Sequence, residues 1–239
     1  MTEPAWLESE MPILDYEAQV GWPSARKQRL FAVACCRRLL PLLAPAQWPQ
    51  CVSVAEHYAD RCAKREELAA VCPRVLREMA RSATYAEVVK ETAEIAMSWL
   101  CETRKRLYAG QVASYAYSAF AYAALPPNEP DVPPSGTQRY AQAWADAAAV
   151  ERKAQVRLLD EVCANQYRPV AFDPAWRTSD AVALARSMYD SRDFSAMPIL
   201  ADALQDAGCE DEQVLNHCRD ANPVHVRGCW VCDLVLGRA

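Results

Sequence analysis

Apolar residues recur at helical spacing along most of the chain. After the break at Gly21-Trp22-Pro23, Leu30, Val33, Ala34 and Leu40 fall near a helical period, predicting a helix over 25–43 with Ser24 as its N-cap. Pro41 should kink or end it. A short helix is expected before it, within 3–20. Val52, Ala55 and Ala59 mark a helix at 50–64, and 66–79 reads as another, restarted at Pro73. Val88, Ile95, Trp99, Leu100 and Leu107 mark a long helix over 84–109, closed by Gly110. The stretch 111–125 carries Tyr115, Tyr117, Phe120 and Tyr122 among alanines and reads as a helix apolar nearly all round, its aromatics packed in a core.

Five prolines within 126–136 preclude a helix and predict an extended, solvated linker. Thr137 then caps a long helix to about 165, with Trp144, Ala148, Val156, Leu159 and Val162 on its apolar stripe. The segment 166–176, stiffened by Pro169 and Pro174, is an ordered connection anchored by Phe172 and Trp176. Short helices follow: from a cap at Thr178 or Ser179 to 189, then 193–207 with Gly208 as its stop, 210–219, and 229–236. The pattern predicts an all-α fold, a compact array of about nine to eleven helices. It reads as one helical domain over 1–239, with 166–239 as a C-terminal cap of short helices.

Composition strengthens this picture. The chain of 239 residues holds 43 Ala and only 6 Gly, the balance of a helix former, and 52% of it is apolar, enough for a sizeable core. A net charge of −5 argues against a general nucleic-acid binder. The basic residues Arg26, Lys27, Arg29, Arg37 and Arg38 read as a solvated helix face. No apolar run is long enough to span a membrane, and the acidic N-terminal residues do not resemble a signal peptide, so the expected location is the cytoplasm. There the 11 cysteines are expected to be free thiols, mostly small buried hydrophobes.

The runs RKQRLFAVACCRRLLPLL, VAEHYADR, QYRPVAFDPAW, ALARSMYD, PILADALQDAGC and HVRGCW resemble an uncharacterised helical family abundant in planctomycete bacteria. The resemblance covers 24–67 and 154–237; the middle shares only its Ala-rich, helical character. The family has no established activity, so the resemblance implies no mechanism. Its members usually carry an aliphatic residue where this chain has Cys232, which weighs against Cys232 as an essential ligand.

Chemistry concentrates at the C-terminus. His217, Cys218, His225, Cys229 and Cys232 are candidate metal ligands, because Cys and His are the usual donors to zinc and closed sites take four. Adjacent His217 and Cys218 point about 100° apart on a helix, whereas Cys229 and Cys232 can share a face. A second possibility is a nucleophile set in which Cys229 attacks, His225 acts as base and Asp233 orients it. A helix start would favour the Cys229 thiolate. A third is that the cysteines pack in the core and the histidines line a loop. Phosphate-cradling glycine loops, HExxH and GxSxG are absent from the sequence. The leading expectation is therefore a non-enzymatic helical module that binds another protein, with zinc binding and Cys229/His225 catalysis as the alternatives.

Overall fold

The computed structural model describes residues 10–43, 47–71, 85–101, 108–125, 138–164, 169–220 and 224–238. Among these lie eleven α-helices and no strand, so the protein is all-α. The helices are α1 (Pro12–Gln19), α2 (Ala25–Leu39), α3 (Gln47–Ala59), α4 (Arg65–Val71), α5 (Tyr85–Leu100), α6 (Ala109–Ala123), α7 (Gln138–Cys163), α8 (Ser179–Ser191), α9 (Met197–Asp206), α10 (Glu212–Cys218) and α11 (Trp230–Leu236). Short 3-10 turns occupy Leu40–Leu42 and Pro174–Trp176. None of the described helices is long and apolar enough to cross a membrane. The linker over 126–136, the Thr137 cap and residues 72–79 of the expected helix at 66–79 lie outside the described residues.

The chain forms two compact units, residues 1–156 and 157–239, with the division inside α7. In the N-terminal unit, Ser24 caps α2 as its sequence implies, accepting from the Lys27 backbone N–H at 3.2 Å. Pro41 converts the end of that helix to a 3-10 turn, because it has no N–H to donate. The helix expected from 50 starts earlier, at Gln47. Pro49 then falls in the first turn, where a missing N–H costs nothing. Arg61, at φ 60°, turns the chain out of α3.

Two expectations are corrected here. The basic residues of α2 are not a solvated face. Lys27 and Arg29 are buried, and Arg29 donates to the Leu100 carbonyl at 2.7 Å while lying over the Tyr58 ring. Arg26 pairs with Asp60, Arg37 with Glu56 and Arg38 with Glu151, at 2.8, 3.0 and 2.6 Å. These cations are internal ties whose partners are too far along the chain for a sequence pattern to reveal.

Gly110 does not close a helix; it sits in the first turn of α6. A Cβ there would lie 2.5 Å from Leu14 Cδ2 and 2.6 Å from Glu17 Oε2, so its glycine allows α1 to pack closely. Glu17 also accepts from the Gly110 N–H at 2.9 Å. Alanines, rather than the aromatics, form the fully buried face of α6: Ala113, Ala116, Ala119 and Ala121. Tyr117 and Tyr122 are only partly buried and meet Trp144 edge to face.

The C-terminal unit begins with the last turns of α7. Its core is built from Met188 and Tyr189 of α8, Leu200 and Leu204 of α9, Val214 of α10, and Val231 and Val235 of α11. The caps here are side chains of the expected kind. Thr178 accepts from Ala181 N, and Asp211 accepts from Gln213 N and Val214 N. Helices α10 and α11 have seven residues each, too short to persist alone, so tertiary contacts must hold them. Arg177 supplies one by donating to the Leu234 carbonyl at 2.9 Å near the end of α11. Another lies where α7, α10 and the loop before α11 converge.

Candidate metal centre

Four side chains meet in the C-terminal unit: Glu161 from α7, His217 from α10, His225 from the loop before α11, and Cys229, the N-cap residue of α11. Their donor atoms all lie within 4.8 Å of one another. Glu161 Oε2 is the hub, 3.1 Å from His217 Nε2 and 3.1 Å from His225 Nδ1. His217 Nε2 lies 3.3 Å from Cys229 Sγ.

Local sequence explains how each residue arrives there. Glu161 lies beside the buried Leu158 and Val162, on the face that α7 turns inward. His217 is in the last turn of α10, next to the buried Cys218. His225 is fixed through its successor, because Val226 N–H donates to Glu161 Oε1 at 3.3 Å. Gly228 takes φ 97°, a left-handed backbone that suits glycine, and turns the chain so that Cys229 faces inward. Cys229 N–H closes this turn on the Val226 carbonyl at 2.9 Å.

The site is largely buried, with His217 its most exposed member. Side-chain exposure is 5% for Glu161, 4% for His225 and 17% for His217, and Cys229 is wholly buried. Burial alone would push the Glu161 carboxyl up, but hydrogen bonds from His217 and His225 outweigh it and hold the carboxyl below its usual range. Burial would likewise depress the imidazoles. Hydrogen bonds to Cys229 and Glu161 outweigh it, lifting His225 to about 10, and the same two partners favour protonation of His217. One carboxylate compensates one imidazolium, and Trp230 decides which. Its indole N–H, which can only donate, points at His217 Nδ1 from 3.1 Å. A charged His217 would oppose that donor with a second N–H. The geometry therefore places the charge on His225 and leaves His217 neutral, its proton on Nε2.

Of the five candidate ligands in the sequence, three converge: His217, His225 and Cys229. Cys218 and Cys232 lie outside the group, in the apolar core of the unit; Cys232 Sγ donates to Met197 Sδ at 3.7 Å. Helical geometry separates Cys218 from its neighbour His217; Cys232 keeps a hydrogen-bond contact with Cys229 but also reaches Met197 of α9 and lies outside the four-donor group. Asp233 is also outside the group. At Cys229, burial disfavours the thiolate that a nucleophile needs. Complete burial pushes its thiol well above the ordinary value, and the proximity of a helix start does not offset this. His225 does lie in a loop, with its side chain buried at 4% exposure.

Glu161 was missed. Its signal was that, of the adjacent acids Asp160 and Glu161, the second falls on the apolar face with Leu158 and Val162, which buries a charge that must find a partner. No family profile, curated protein or solved structure matches this chain.

Proposed function

We propose that the C-terminal unit is a zinc-binding module, with Glu161, His217, His225 and Cys229 as the four ligands of one ion that stabilises the fold. The observation that carries this reading is the convergence of four donors of zinc-binding type in a largely buried site. Zinc–ligand bonds of about 2.0–2.3 Å give a tetrahedron with edges of roughly 3.3–3.7 Å. Three of the six donor separations, 3.1, 3.1 and 3.3 Å, are close to such edges, and the other three lie within 4.8 Å. Val226 N–H occupies Glu161 Oε1 and leaves Oε2 for the ion. One carboxylate and one thiolate balance a divalent cation, so the buried site is neutral when filled. The mixed N, S and O donor set suits borderline-soft zinc better than magnesium or calcium, which take oxygen.

Energetics favour the same reading. Two seven-residue helices and the loop between them gain a cross-link to α7. In such sites metal-binding energy becomes folding energy.

Zinc titration of the full chain against a chromophoric chelator tests the proposal. One equivalent should bind, and E161Q and C229S should each weaken binding by at least about tenfold. Unchanged affinity in both variants, or no uptake by the wild type, would reject it.

A further inference from the structure

The residue beside His217 is the wrong kind of partner for a preformed metal site. A ligating histidine ordinarily donates its second ring N–H to an acceptor, which fixes the tautomer and strengthens the ligand. Here the position is filled by a donor, the Trp230 indole N–H, 3.1 Å from Nδ1. The two rings lie 4.9 Å apart at their centroids. While that bond exists, Nδ1 carries a lone pair and the proton of neutral His217 sits on Nε2, facing Glu161 and Cys229. Nε2 is the atom that would have to ligate. Turning the ring over does not help, because it presents carbon to both sides.

We infer that Trp230 is a gate on this site: its indole N–H holds His217 in the tautomer that cannot ligate, and zinc binds only as that hydrogen bond is broken. The inference rests on the zinc reading above and adds its regulation. On loading, Cys229 and His225 each release a proton, and the His217 proton passes from Nε2 to Nδ1. Nδ1–H and the indole N–H then oppose each other, so the indole must move. Trp230 is the first residue of α11 and directly follows the ligand Cys229. Metal occupancy is thereby coupled to the placement of that helix, and the module becomes a responder to zinc rather than a passive clasp. His217, at 17% exposure, is also the ligand nearest solvent.

The decisive variant is W230F, which keeps an apolar ring and deletes the donor. Zinc titration of the full chain with zinc chloride and a competing chromophoric chelator should show W230F binding about tenfold more tightly than wild type, the effect of one lost competing hydrogen bond. A supporting role for the indole predicts the opposite, about tenfold or more weaker. A second measurement uses the unmodified protein, so the test survives if W230F fails to fold. With nitrogen-labelled tryptophan, the Trp230 indole N–H resonance should shift on adding zinc and exchange faster with solvent. Equal or weaker zinc affinity in W230F, or an indole resonance unmoved by bound zinc, overturns the gate and leaves the zinc site standing. Binding by neither protein overturns both. Binding by W230F alone rejects the zinc reading for the wild-type chain and overturns the gate with it.

Discussion

Replacing His225 by alanine separates a metal-centred C-terminal unit from one held by packing alone. The His225 side chain is 4% exposed and faces the buried Glu161 carboxylate. Removing it leaves that charge uncompensated, a loss of about 3–5 kcal/mol for a broken buried pair. In the zinc-loaded protein the variant also forfeits metal stabilisation, about 2.7 kcal/mol at a free zinc concentration one hundred times Kd. A domain of about 60–100 residues loses roughly 4–8 °C per kcal/mol. The transition of the C-terminal unit should thus fall by at least about 12 °C. Trp230→Ala is the comparison, costing about 3–5 kcal/mol as an emptied core position. Calorimetric melts of both variants and the wild type, each with and without a zinc chelator, give the readout. The chelator should lower the wild-type transition and leave His225→Ala unmoved. A His225→Ala protein that melts with the wild type in zinc would refute the reasoning, because neither the charge pair nor the metal would then support the fold.

Other consequences can be checked separately. Without metal, His225, lifted from 6.5 to about 10, contributes stability that is complete below 6.5 and lost as pH rises through 10. Glu161, held below its usual range, contributes above the ordinary carboxylate pKa and loses that contribution in acid. Metal-free melts should therefore decline from about pH 6.5 toward pH 10, whereas zinc affinity should rise over the same range as protons leave the ligands. In the N-terminal unit, Arg38→Ala should cost about 3 kcal/mol by stranding the buried Glu151, and the double variant with Glu151→Leu should recover much of it in denaturant titrations. Gly110→Ala should cost about 1–3 kcal/mol, because its methyl group meets Leu14 and Glu17; an unchanged denaturation midpoint would contradict the close packing of α1 on α6.

Helix positions were largely legible because local signals set them. Ser24, Thr178 and Gly208 mark ends that the structure keeps. Failures came where a distant partner decided. The cations of α2 look solvated until Asp60, Glu56 and Glu151 are brought to them. Gly110 looks like a stop until α1 is packed against it. The candidate site was legible in part for the same reason. His217, His225 and Cys229 cluster in sequence, whereas Glu161 joins them from 56 residues before His217. The exclusion of Cys218 and Cys232 follows from which way each side chain leaves its helix, and that depends on the core it enters.

X-ray absorption at the zinc edge of the purified, zinc-loaded chain tests the four-ligand assignment most directly. The account predicts one zinc per chain with one sulfur at about 2.3 Å and three nitrogen or oxygen neighbours at about 2.0–2.2 Å. A zinc shell with no sulfur, or one with two or more, would contradict the ligand set of Glu161, His217, His225 and Cys229.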